Sequence, residues 1–106
     1  MVDPIYEAKA QIYKALAHPI RVQVVEMLAQ GEKSVSEIVA NVGAKEANLS
    51  RHLGVLKSAG IIKSRKDGLN VYYQLIMPCL LNMFSCVESA LVEKAIFHQK
   101  IAERLK

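Results

Sequence analysis

The sequence predicts a mainly α fold that carries one β-hairpin, about five helices plus two strands, and three observations predict it. Apolar residues recur at spacings of three and four through most of the chain. A Ser34–Glu37 capping box opens the first of two short helical stretches, which Gly43 divides. Asp67-Gly68 stands between two strand-like runs, a strong hairpin signal.

The first helix is expected from Asp3 to about Ala17, with Ile5, Ala8, Ile12, Ala15 and Leu16 on one face and Pro4 in the first turn. His18-Pro19 breaks that pattern. Ile20, Val24, Val25, Met27 and Leu28 restore it as a second helix, until Gly31 supplies a stop. After the capping box, Ile38, Val39 and Val42 mark a short third helix. A fourth begins near Lys45 and turns Leu49, Leu53 and Leu56 inward before Ser58-Ala59-Gly60. The third and fourth form a helix-turn-helix pair. Ile61 to Lys66 and Leu69 to Leu75 then read as strands, and a basic hairpin directly after such a pair is a wing, so the fold is a winged helix-turn-helix. Pro78 restarts a long helix, apolar around much of its girth through Leu80, Leu81, Met83, Phe84, Val87 and Leu91. One domain, 1–106, is thus divided into helices one and two (3–30), the helix-turn-helix (34–60), the wing (61–76) and a last helix (78–105).

A chain of 106 residues builds one compact domain rather than two. Its hydrophobic fraction, 52%, is high for that size and points to apolar surface buried against a second copy, a homodimer paired through the first and last helices. A net charge of +4 suits a polyanionic partner if it collects on one face. No uninterrupted apolar run of about 18 residues exists, and MVDPIYEAK carries acids where a secretory signal needs basic and then apolar residues. A cytoplasmic protein with no membrane partner is therefore expected. Two cysteines are too few for a disulfide scaffold. An enzyme is not expected: there is no Ser-His-Asp set, glycine-rich phosphate loop, paired catalytic carboxylates or HExxH spacing.

With these elements in place, nearly the whole chain resembles the ArsR/SmtB family of winged-helix repressors. Lys14 to Arg21, KALAHPIR, looks like that family's opening signature. Lys45 to Gly60, KEANLSRHLGVLKSAG, is similar to its recognition helix, and Asp67 to Leu75 to its wing tip and returning strand. The resemblance implies a dimeric repressor that an inducer, often a metal or metalloid ion, releases from its operator.

If Leu49, Leu53 and Leu56 point into the core, the step of about 100° per residue puts Ala47, Ser50, Arg51 and Gly54 on the opposite side, toward a DNA major groove. Arg51 can pair bidentately with guanine, Ser50 can reach a base edge or phosphate, and Ala47 and Gly54 permit close approach. Lys45 and Asn48 lie near the helix start, where phosphate is favoured. His52, beside Arg51 on the exposed helix, is counted among the DNA-binding residues. In the wing, Lys63, Arg65, Lys66 and Asn70 can reach backbone or minor groove. A two-fold dimer then favours double-stranded DNA with an inverted repeat.

Several members of the resembled family carry two cysteines at the start of the third helix, where this chain has Ser34 and Ser36. Others use an acid and histidines along the last helix, where it has Met77, Pro78, Cys79, Ala90 and Glu93. No certain cofactor follows. Cys79 and Cys86 remain, about 10.5 Å apart along one helix and beyond disulfide reach within a chain. As thiolates they suit a soft metal or metalloid ion, or redox sensing, with a third ligand from His98, His18, a partner thiolate or an exogenous thiol. As thiols they serve equally as small packing residues in an effector-insensitive protein.

Overall fold

The computed structural model describes residues 1–106 as five helices and three strands. Helix α1 (Pro4–Leu16) is capped by Asp3, whose Oδ1 accepts a hydrogen bond from the Ile5 amide at 2.9 Å. Helix α2 (Pro19–Leu28) starts one residue past His18. The His18 Nδ1 accepts from the Ile20 amide at 3.1 Å, and Pro19 fills the first position, where no intrahelical donor is lost. Strand β1 (Lys33–Ser34) leads straight into α3 (Val35–Val42). There the capping box is complete: Ser34 Oγ accepts from the Glu37 amide at 3.2 Å and the Glu37 carboxylate from the Ser34 amide at 3.0 Å. Gly43 ends α3 at φ 71°, a left-handed conformation that only glycine takes without steric cost. Helix α4 (Glu46–Ser58), the hairpin strands β2 (Ile62–Asp67) and β3 (Asn70–Leu75), and the 25-residue α5 (Leu80–Arg104) follow.

Two details of the sheet differ from the sequence-based expectation. The sheet has three strands rather than two, in the order β1-β3-β2, with Lys33 opposite Tyr73 and Ser34 opposite Tyr72. A two-residue strand carries no alternation to read, so backbone pairing alone reveals it. The hairpin turn is also one residue later. Asp67 pairs with Asn70, leaving Gly68 and Leu69 as the loop, and Gly68 alone takes positive φ, 62°. Glycine at the first central position matches a type II′ turn, whose twist fits the flanking strands.

The core gathers where α2, α3 and α4 meet the base of the sheet, around Val24, Val25, Ile38, Leu49, Leu53, Leu56, Ile61 and Ile62, each at most 2% exposed. Only 14 of 106 residues are buried, few for a chain with this apolar content. The surplus lies on α1 and α5. Of the face expected on α1, Ala15 and Leu16 are buried while Ile5 and Ala8 are exposed, and α5 buries only Leu80 and Phe84. Val87, Leu91, Val92, Ile96, Phe97 and Ile101 of α5 stand in the open.

His52 corrects the sequence-based reading. It is 5% exposed and faces inward, its ring 4.1 Å from that of His18 and tilted by 39°. Residues 49, 52, 53 and 56 make one i, i+3, i+4, i+7 stripe, so His52 belongs to the buried face and not to the groove-facing one. Its Nδ1 is buried without a hydrogen-bond partner. Desolvation, followed by the nearby His18, Arg21 and Arg51, holds its pKa below the ordinary histidine value.

Because an unfolded histidine titrates near about 6.5, the unfolded chain takes up a proton before folded His52 does. This contribution to stability is expected to be complete above about pH 6.5 and to be lost as the pH falls toward the depressed folded value. Glu32 and Glu37, both held below their ordinary value, keep their stabilisation through the histidine range and lose it only at lower pH. Urea-unfolding midpoints followed across the histidine range check this, and His52→Gln should flatten the dependence; an unchanged slope in that variant would assign the titration to another group.

Candidate nucleic-acid interface

The exposed side of α4 follows directly from its buried one. With Leu49, His52, Leu53 and Leu56 turned inward, Ala47, Asn48, Ser50, Arg51 and Gly54 are all exposed, and Lys45 stands exposed at the N-cap position without a side-chain cap of its own. Arg51 is oriented from within the helix: its Nη2 donates to Asn48 Oδ1 at 3.1 Å, one turn earlier. That bond leaves most of the guanidinium fork free for a planar acceptor pair.

Gly54 sits in the middle of this helix, where glycine costs roughly 0.5–1 kcal/mol against alanine. Nothing inside the subunit requires it. A Cβ built at Gly54 meets no atom within 4 Å, and its φ is not positive. The value of a bare position here therefore lies in what can approach α4 from outside.

The wing divides its cations between two faces. Along β2 successive side chains alternate, so Ser64 and Lys66 share one face while Lys63 and Arg65 share the other. Ser64 Oγ accepts from Lys57 Nζ of α4 at 2.8 Å, which places the Ser64 and Lys66 face on the side of the last turn of α4. Arg65 is engaged elsewhere. Its Nε and Nη2 donate to the two Glu32 carboxylate oxygens at 2.9 and 2.6 Å, its guanidinium lies 4.6 Å over the Tyr72 ring, and Asp67 is 3.7 Å away. These partners hold Glu32 below and Arg65 above their usual pKa values, chiefly through the paired hydrogen bonds. Arg65 thus braces the wing against the segment leading into β1. Among the wing residues singled out from sequence, Lys63, Lys66 and Asn70 remain exposed and outside any ion pair, with Lys66 and Asn70 next to the turn.

Cys79 and Cys86 are both free and exposed, at the N-cap and in the second turn of α5. No three His, Cys, Asp or Glu side chains gather into a metal-binding group. His18, one of the third ligands open to the sequence reading, caps α2 through Nδ1 and lies with its ring tilted against that of His52. His98 is exposed on α5, well beyond Cys86 toward the far end of that helix. The donors of one chain do not fit a metal on their own.

Sequence reasoning missed the Glu32–Arg65 brace, which joins residues 33 positions apart and leaves no local signal. It also misassigned His52, although the spacing of that residue from Leu49 and Leu56 carried the correct answer.

Residues 18–64 match the family described as bacterial regulatory protein, arsR family. Rv0081, an HTH-type transcriptional regulator of Mycobacterium tuberculosis, is 36% identical over 90 residues, covering 84% of this chain and 79% of its own length. Its crystal structure superposes with a TM-score of 0.77 over 92% of this chain and 98% of that one. The biofilm growth-associated repressor of Agrobacterium fabrum is 42% identical over 66 residues, 62% of this chain and 56% of that protein. The solution structure of Mb0332 from Mycobacterium bovis, a homodimeric winged helix-turn-helix DNA-binding domain, matches at 30% identity with a TM-score of 0.73, over 87% of this chain and 85% of that one. The observed helices, turn and wing agree with these relatives, and the chain belongs to the ArsR family of bacterial transcription regulators.

Proposed function

We propose that this chain is a homodimeric, sequence-specific repressor that presents two copies of α4 to an inverted repeat in duplex DNA. The observation that carries the reading is the outward row of α4: small Ala47 and Gly54, polar Asn48 and Ser50, and Arg51 held by Asn48, all opposite a fully buried leucine stripe. Lys45 and the wing residues Lys63, Lys66 and Asn70 supply contacts to phosphate or minor groove on either side. Pairing through α1 and α5 is supported by the apolar side chains these helices expose, and by the homodimeric state of the Mb0332 domain. Repression is supported by the likeness to the Agrobacterium repressor.

A thiol-reactive inducer acting at Cys79 and Cys86 is the reading of the regulatory signal, supported by the exposure of both thiols on the helix that carries the proposed subunit contact. A soft metal or metalloid ion would need ligands from both subunits or from an exogenous thiol, whereas an oxidant needs only the thiols.

Fluorescence anisotropy with duplex from the upstream region of the chain's own gene tests these assignments. Arg51→Ala is expected to cost about 1–3 kcal/mol and relax base preference, while Lys66→Ala weakens all sequences alike. Wild-type binding by both variants would overturn this docking. Gly54→Ala should stabilise the fold by roughly 0.5–1 kcal/mol in urea unfolding and yet weaken DNA binding. For the inducer, the reduced protein on DNA is challenged with arsenite, cadmium, zinc, copper(I) and a disulfide oxidant. Release that Cys79→Ser and Cys86→Ser abolish is the expected result; binding unmoved by every challenge would make the protein an effector-insensitive repressor.

A further inference from the structure

A second basic surface lies outside the recognition helix and the wing. Gln11, Lys14 and Ala15 share one face of α1 by their three- and four-residue spacing, and α1 packs against α4. Arg21 projects from the first turn of α2, and Gly54 and Ser58 continue the outward row of α4 beyond Arg51. Together these residues line an open cleft of about 600 Å³.

Its electrostatics are one-sided. No carboxylate lines the cleft, and neither Lys14 nor Arg21 is in an ion pair, whereas both ion pairs of the chain belong to Arg65. Helix α2 has no acid in its first turn to neutralise Arg21. The Arg21 Nε is buried and has no hydrogen-bond partner, so one donor of this cation is unsatisfied in the free protein. Gln11 and Ser58 add neutral donors. Two unpaired cations and two neutral donors around an open cleft suit an oxyanion, and the position beside the end of α4 is the flank of a groove rather than its floor.

We propose that Lys14 and Arg21 clasp a backbone phosphate of the DNA that α4 reads, making the α1–α2 junction a third DNA contact beside the recognition helix and the wing. The inference rests on the DNA-binding reading above and extends it to residues outside the helix-turn-helix. Phosphate contacts fix register without choosing sequence, so these side chains set how α4 enters the groove and leave base preference to Arg51.

The test is the salt dependence of affinity for the full chain, measured by anisotropy with its own upstream duplex and with an unrelated duplex of equal length. Lys14→Gln is expected to lower the slope of log affinity against log salt by about 0.9 for each phosphate no longer neutralised, twice that for a two-fold dimer, and to weaken both duplexes by the same factor. Arg21→Gln should do likewise, and Lys14→Arg should restore the wild-type slope. Lys14 is exposed, so thermal unfolding of its variants should match wild type. A wild-type slope in Lys14→Gln, the result also expected if the cleft serves a free anionic ligand, would overturn the inference while leaving the DNA-binding reading intact. So would a loss of affinity confined to the upstream duplex. A wild-type protein that binds neither duplex would instead overturn the DNA-binding reading itself.

Discussion

Burial of one stripe of α4 is the constraint on which the rest of this structure depends. Leu49, Leu53 and Leu56 are at most 2% exposed, and with His52 they fix the rotation of the helix against α1, α2 and β2. Each buried leucine contributes about 1.5–3 kcal/mol by removal from water, and truncating one costs about 2–5 kcal/mol once the cavity is counted. Against a typical total of about 5–15 kcal/mol, the helix has no alternative orientation of comparable energy. Which side chains face outward is therefore decided by the core, and the exposed row of α4 is its complement.

That surface is held from three directions. Asn48 steadies Arg51 within the helix, Lys57 ties the last turn of α4 to Ser64, and Glu32 clamps Arg65 so that the wing is anchored to the segment before β1. The His18–His52 contact adds a fourth tie, from the junction of α1 and α2 into the middle of α4. Three of these ties involve α4 and the fourth fastens the wing to the segment before β1, so the α1–α2 junction and the wing are both fastened around that helix.

Most of this is legible in the sequence because the signals are local. The capping box, left-handed glycines and three-to-four spacing are encoded within a few residues; α3 and α4 lie where those signals place them, and the hairpin turn lies within one residue of where they place it. What escapes depends on distant parts of the chain. Strand β1 exists only because Tyr72 and Tyr73 offer it an edge. Arg65 reads as a free wing cation until Glu32 is brought to it. Polarity alone assigns His52 to the surface, although its stripe position, beside His18 supplied by another segment, outweighs that polarity. The cleft around Lys14 and Arg21 draws on three helices and cannot be assembled from any one of them.

Glu32 lies outside every element expected to meet DNA, yet it governs how much charge the wing displays. Its carboxylate cancels the one arginine of the hairpin, leaving lysines to act as the mobile, strongly hydrated cations of that edge. A genome offers roughly 10⁶–10⁹ competing sites, so a regulator's occupancy of its target depends on how weakly it adheres to everything else. By neutralising Arg65, a single acid outside α4 lowers the positive charge that the wing displays, and substitution at position 32 would change that charge without touching α4.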